Sequence, residues 1–509
     1  MTTRTVRLVG VLALALFTAD QAGLHAGIAV RSLDLREYRG TRIVGAATVA
    51  AAGDVNGDGT PDVLTSRGDL AKRPSRGRVW VVFGSDALGA VVDVRDLGDQ
   101  GFVIEGANDG DWASEIAPAG DVNGDGLDDV LVGAPGADNN DRYSSGTAYV
   151  VFGKPDTAPV LLAEFDNGTQ DTLGFRIDGA SARDLAGQDV AGLGGDVNGD
   201  GLDDLIVGAP FAGATYVIPG KTDSLPVDLL THDFGGPLTG GFRIDTPSPT
   251  YSDAYSVAGA GDVNADGLPD VIVGVQAATG AKGSAFVVFA TSSQRRIDVR
   301  EQGAWGFRIR GHYGGSATGY ATGSAGDLNR DGLGDVVVGA PALYFPLEGQ
   351  TFVVYGTADN DPIRLDDLGK QGFVVNGAYP ANASGMAVGG GADANGDDIP
   401  DLVVGAGYAG YRRRPEAGRA YVVYGSRRRA DIQLRTLGDG GVLIGGARGA
   451  PATCPRDFTD CPGDRAGTSM AFVGDIDGDG LTEIAVGAPW AGRPSQRGVV
   501  YVISSAAVD

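Results

Sequence analysis

The 509-residue chain carries 65 acidic against 40 basic side chains, a formal net charge of −25, with three histidines and two cysteines. That balance argues against a nucleic-acid partner, and so few histidines leave little for a His-centred triad or a zinc–histidine site. Hydrophobic residues make up 42% of the chain and 85 positions are glycine, which suits a large, turn-rich, mostly β core.

In chain order, the first element is an export signal. Arg4 and Arg7 precede an apolar stretch from Leu8 to Phe17, too short to span a bilayer. A signal peptide over residues 1–26 is expected, with its cleavage point unassigned, and a single mature domain over 31–509. No second long apolar segment follows, so no membrane span is expected, and the mature chain should lie in the periplasm, at the cell surface or in the medium.

From there an acidic loop, Asp-x-Asn/Asp-x-Asp-x-x-x-Asp/Glu, recurs seven times at spacings of 67, 75, 66, 65, 66 and 82 residues. Oxygens at positions one, three, five and nine, with the backbone carbonyl of position seven, can converge on one hard cation of calcium size. The predicted ligand sets are Asp54, Asn56, Asp58, Thr60 and Asp62; Asp121, Asn123, Asp125, Leu127 and Asp129; and Asp196, Asn198, Asp200, Leu202 and Asp204. The fourth and fifth are Asp262, Asn264, Asp266, Leu268 and Asp270, then Asp327, Asn329, Asp331, Leu333 and Asp335. The last two are Asp393, Asn395, Asp397, Ile399 and Asp401, then Asp475, Asp477, Asp479, Leu481 and Glu483. Up to seven calcium ions are implied, one per repeat.

Position six is Gly in six loops, as a left-handed turn requires, and Asp398 in the sixth. Asp tolerates that region better than most residues, so the sixth site should persist and bind more weakly. An EF-hand loop starts similarly but needs flanking helices and a Glu at position twelve. Here the flanks, such as VLVGAP and LIVGAP, read as strands.

Around each loop the chain repeats a fixed order. A small-residue strand such as SEIAPAG (114–120) precedes the loop, and an apolar strand follows, ending in Gly-Ala-Pro at Gly133, Gly208, Gly339 and Gly487. Next come an aromatic-aliphatic strand, RVWVVFG at 78–84 or TAYVVFG at 147–153, and a closing strand, GFVIEG at 101–106 or GFRIDG at 174–179. Four strands per repeat define a propeller blade. The seventh repeat stops after its third strand, GVVYVIS at 498–504, while LDLREYRGTRIVG at 33–45 matches the segment ending the first repeat, DVRDLGDQGFVIEG at 93–106. The predicted fold is an all-β, seven-bladed propeller of four-stranded blades, closed by the N-terminal strand pairing with the last blade.

These signatures resemble the FG-GAP repeats of the integrin alpha-subunit amino-terminal propeller and of related exported bacterial proteins, over about residues 31–509. The resemblance implies calcium in hairpins on one face and an extracellular protein or glycan ligand on the opposite face. It departs from integrins in placing an acidic loop in every blade, and neither stalk domains nor a membrane helix are expected. Glycosylphosphatidylinositol-specific phospholipase D is similar in its propeller, but no counterpart of its catalytic domain is expected in these 509 residues.

On the opposite face, aromatics recur in the connecting loops: Trp112, Phe211, Tyr251, Tyr313, Tyr344, Tyr379, Tyr408 and Trp490. Phe211, Tyr344, Tyr408 and Trp490 form the predicted ligand rim. Cys454 and Cys461 are close enough in sequence for a local disulfide. Arg67 to Asp69 reads Arg-Gly-Asp, a tripeptide this composition produces by chance. No Gly-x-Ser-x-Gly elbow or phosphate-cradling loop appears, so no enzyme activity is expected. A calcium-assisted polysaccharide lyase or other carbohydrate-active enzyme, and a structural envelope scaffold, are the alternatives.

Overall fold

The computed structural model describes residues 31–505 apart from 68–74, 86–87, 166–171, 235–240, 248–254, 277–281, 292–294, 302, 344–346, 427–429, 451–461 and 493–497. Seven mainly antiparallel sheets follow one another along the chain, one per acidic loop, so the fold is a seven-bladed β-propeller. In the first blade the strands run Thr48–Gly53, Asp62–Arg67, Arg78–Val82 and Gly101–Glu105 from the innermost outward. The second strand of blades two to seven is largely apolar because neighbouring blades cover both its faces, while that of the first blade, DVLTSR, ends in polar residues. Asp129–Ala134 and Asp401–Ala406, for example, are buried at every position.

The core lies between blades. Seven clusters among the described residues each draw on two neighbours; Val150, Phe175 and Ile177 of the second blade pack with Val207, Tyr216 and Ile218 of the third. One such cluster joins the ends of the chain, with Val49, Val63 and Trp80 of the first blade against Val473, Ala485 and Val500 of the seventh. Arg42–Val44 supplies the fourth strand of the seventh blade, pairing antiparallel with Val499–Ile503. Ser469 Oγ both donates to the Val49 carbonyl (3.2 Å) and accepts from its N–H (3.0 Å), spanning the same junction.

The blades differ from the expected four strands by one. Each sheet gains a fifth, parallel strand of two or three residues from the chain that leads to the next blade's fourth strand. Val160–Leu161 pairs with the first blade's Gly101–Glu105, and Val91–Asp93 pairs with Arg42–Val44 in the seventh. The N-terminal segment accordingly serves two blades: Ser32–Asp34 lies against Gly441–Gly445 of the sixth before Arg42–Val44 enters the seventh. Strands this short carry too few side chains for an alternation signal. Regular helix is limited, among the described residues, to single 3-10 turns such as Pro210–Ala212, and no helix is long and apolar enough to cross a membrane.

Candidate metal centre

Each acidic loop joins the first and second strands of its blade, so all seven open on one face of the ring. Within the first loop the side-chain oxygens are aimed inward by backbone N–H groups. Asp54 Oδ1 accepts from Gly57 (2.8 Å) and Asp58 (3.1 Å), and its Oδ2 from Gly59 (2.8 Å). Asn56 Oδ1 accepts from Asp58 N–H and Asp58 Oδ1 from Thr60 N–H, both at 2.8 Å. The same wheel recurs around Asp121, Asp196, Asp262, Asp327, Asp393 and Asp475. Short polar side chains fold back this way because they can bond backbone groups two to five residues on.

Two positions of each loop take left-handed backbone. Position six does so in Gly59 (φ 88°) and in Asp398 (φ 61°), whose N–H still reaches Asp393 Oδ2 at 2.6 Å. Position four does so as well, as Gly57 (φ 76°), Ala265 (φ 61°) and Arg330 (φ 58°). Sequence reasoning found the first requirement and missed the second, although Gly occupies position four in five of the seven loops.

The position-nine acid closes the hairpin from below. Asp62 is fully buried; its Oδ2 accepts from Val55 N–H (2.9 Å) and its Oδ1 from Gly84 N–H (2.8 Å), just beyond the third strand. Asp129, Asp204, Asp270, Asp335 and Asp401 are held by the equivalent pair of bonds. Burial, with the neighbouring loop carboxylates adding to it, pushes Asp62 up to about 7 and Asp129 to about 8.

In the seventh loop the longer Glu483 changes this geometry. Its Oε2 accepts from Ile476 N–H (2.6 Å), while Oε1 is buried without a hydrogen-bond partner. Carboxylate oxygens of Asp475, Asp477, Asp479 and Glu483 lie within 4.8 Å of one another. Four anionic oxygen donors, one of them buried and otherwise unpaired, fit a hard cation of calcium size.

Several loops are also wired to their neighbours. Asp128, at position eight of the second loop, accepts from Asp54 N–H of the first (2.7 Å) and donates its own N–H to the Asp54 carbonyl (3.1 Å). Asp203 of the third loop repeats both contacts with Asp121. Arg330 of the fifth donates to the Asp398 carbonyl of the sixth. Pro61 of the first packs so closely over Gly474 that a Cβ there would lie 2.7 Å from its ring, which carries the contact across the junction of the seventh and first blades.

On the opposite face the structure brings Tyr408 and Trp490 together through a residue the sequence did not single out. The Arg465 guanidinium stands 4.5 Å from the Tyr408 ring and 6.0 Å from that of Trp490. Buried Glu416 fixes it, accepting from Arg465 Nε (3.1 Å) and Nη2 (2.8 Å). Tyr408 is 37% exposed, and half-buried Phe211 sits on the Pro210–Ala212 turn of the third blade. Tyr379 belongs to the strand Gly372–Pro380 instead of a loop, and its ring lies between the guanidinium groups of Arg419 (4.9 Å) and Arg435 (4.7 Å). Tyr313 packs on the His312 ring, and Trp112 is exposed. Tyr344, Tyr251, both cysteines and the Gly68–Asp69 part of the tripeptide lie outside the described residues.

This is the architecture of a repeat propeller with an acidic loop in every blade, and comparisons with known proteins agree. The FG-GAP repeat family matches residues 46–82, 113–151, 190–223, 319–355, 384–423 and 466–503, which are blades one, two, three, five, six and seven. The chain thus carries FG-GAP repeats and resembles integrin alpha subunits. It is 31% identical over 231 residues to integrin alpha pat-2 of Caenorhabditis briggsae, covering 42% of this chain and 17% of that protein. Integrin alpha-PS2 of Drosophila melanogaster is 24% identical over 339 residues, 66% of this chain and 18% of the relative. Phosphatidylinositol-glycan-specific phospholipase D of Mus musculus is 31% identical over 191 residues, covering 36% and 20% respectively. The chain therefore spans about a fifth of the length of these relatives.

Proposed function

We propose that the chain is an exported, calcium-stabilised recognition module, residues 31–509 forming one domain, that binds an extracellular protein or glycan on the face opposite its acidic loops. The observation that carries this reading is the division of labour between the two faces. One holds seven self-similar carboxylate loops, several bonded to their neighbours; the other presents an ordered Tyr408–Arg465–Trp490 stack.

Calcium, when bound, supplies positive charge to carboxylates that otherwise repel one another. The chain's own groups do the positioning: backbone N–H groups orient the side-chain oxygens of positions one, three and five, and position nine anchors the loop to the third strand. The rim stack offers flat aromatic surface and a guanidinium, the groups enriched where binding energy concentrates. The resemblance to integrin alpha subunits supports recognition over catalysis, and the apolar segment at residues 8–17 supports export.

The test is an array of extracellular-matrix proteins and glycans probed with residues 31–509, in calcium and in chelator, beside a Tyr408→Ala/Trp490→Ala double variant. Calcium-dependent binding lost in the double variant is expected. Binding that survives both changes places recognition elsewhere, and an array without binding rejects this function.

A further inference from the structure

Against a chain of net charge −25, one spot on the fourth blade is strongly basic. A cavity of about 380 Å³ is lined by Lys282, Ser284, Arg308, Arg310, Arg364 and Asp366, with Gly283 and Gly311 between them. Its strands are Ser284–Val288, Gly306–Arg310 and the parallel Ile363–Arg364, the third, fourth and fifth of the blade. Ser284 pairs with Arg310 and Arg310 with Arg364, so the three form one row at the strand ends remote from the acidic loop. Arg308, two residues earlier, projects from the same face of the sheet. Its guanidinium lies 5.5 Å from the Phe286 ring and donates from Nε (3.0 Å) and Nη2 (2.8 Å) to Ser284 Oγ.

The charges in this pocket do not cancel. Among the described residues Asp366 is the one acid in the lining, and Arg364 takes both its oxygens, Nε to Oδ1 at 2.9 Å and Nη2 to Oδ2 at 2.8 Å. Lys282, Arg308 and Arg310 form no ion pair among the described residues. Burial and the nearby Arg310 charge together hold the Arg308 guanidinium below its usual value. Like charges side by side in a sheet are destabilising, and among the described residues no acid offsets Arg310 beside Arg364.

Sister blades show what a balanced row looks like. Where the fourth blade has Arg310 beside Arg364, the second has Asp178 beside Asp228 and the third Asp245 beside Asp298. Those acids are met by arginines: Arg176 with Asp178 (3.3 Å), Arg142 with Asp228 (2.8 Å), Arg243 with Asp245 (2.9 Å) and Arg300 with Asp298 (2.6 Å). The first blade likewise pairs Glu105 with Arg78 (3.2 Å). In the fourth blade alone of these four, arginine stands at both positions of the row, and among the described residues only Arg364 is met by an acid, Asp366.

We infer that this pocket is a binding site for a tetrahedral oxyanion, a sulfate or phosphate ester on a sugar-sized group. Lys282, Arg308 and Arg310 supply the charge and the guanidinium donors that such an anion accepts, and the volume falls within the range of small-molecule sites. The site stands on the outer strands of the fourth blade and does not depend on the aromatic rim or on the reading of the acidic loops.

Calorimetric titration of residues 31–509 in calcium with glucose 6-sulfate, glucose 6-phosphate and, as the neutral control, glucose tests it. Saturable binding of at least one ester and none of glucose is expected, and the preferred ester identifies the source of the oxyanion. Arg308→Gln should weaken that binding by about tenfold or more. Arg310→Glu restores the acid found in the first three blades; it should abolish binding while leaving the melting temperature unchanged or raised. If neither ester binds at millimolar concentration, or if a folded Arg310→Glu protein binds as the parent does, the inference is wrong.

Discussion

Two glycine-to-alanine substitutions at the first loop separate the strain of a left-handed turn from the bond that joins one loop to the next. Gly53 (φ 77°) and Gly59 (φ 88°) both have left-handed backbone, so either substitution costs about 1–2 kcal/mol of backbone strain. Their surroundings differ. A Cβ at Gly59 meets nothing within 4 Å, whereas one at Gly53 lies 2.2 Å from Asp128 Oδ2 and 2.7 Å from Asp128 Cβ. Rotating the Asp128 side chain does not clear its own Cβ, so the second loop must withdraw and release Asp54 N–H from its 2.7 Å bond. Losing a hydrogen bond to a charged acceptor adds about 1.5–3 kcal/mol. Gly53→Ala should therefore destabilise the calcium-loaded protein by about 2.5–5 kcal/mol and Gly59→Ala by about 1–2 kcal/mol. Differential scanning calorimetry of the two variants side by side measures the difference. Equal losses would refute the claim that bonds between neighbouring loops hold the first two blades together.

Glu483→Gln removes the carboxylate whose Oε1 is buried and unpaired in the seventh loop, so calorimetric calcium titration should register about one fewer tightly bound ion. Glu115, on the innermost strand of the second blade, is pushed by burial from 4.5 up to about 7. Because the folded-state value is raised, ionising this acid opposes folding, and the penalty grows as pH rises from about 4.5 through about 7. Glu115→Gln should thus leave stability unchanged near pH 4 and raise it at pH 8 by on the order of 1–3 kcal/mol, read from melts at both pH values; an equal effect at both would refute the assignment. Deleting residues 31–45 removes both N-terminal strands and bares the edges of Gly441–Gly445 and Val499–Ile503. A lower melting temperature and oligomers in size-exclusion chromatography are expected.

Much of the ring could be read from sequence because its signals are chemical and local. Oxygen-bearing residues at fixed spacing mark the hairpins, and runs such as DVLVGA mark strands that neighbours bury on both faces. The N-terminal closing strand was legible through its match to residues 93–106. What escaped depends on partners far along the chain. Val160–Leu161 is a strand only because Gly101–Glu105 offers it an edge. The left-handed position four is obscured by Ala265 and Arg330, which adopt it without glycine. Arg465 belongs to none of the repeated motifs, and its stacking on Tyr408 and Trp490 arises only when blades six and seven meet.

The most direct test of the central claim is a calcium titration of metal-stripped residues 31–509, followed by melting temperature and by calorimetry. If calcium holds the hairpins, the melting temperature climbs with calcium and falls again on chelation, with a stoichiometry of several ions per chain approaching one per loop. A melting temperature indifferent to calcium and chelator, with no saturable uptake, would contradict it.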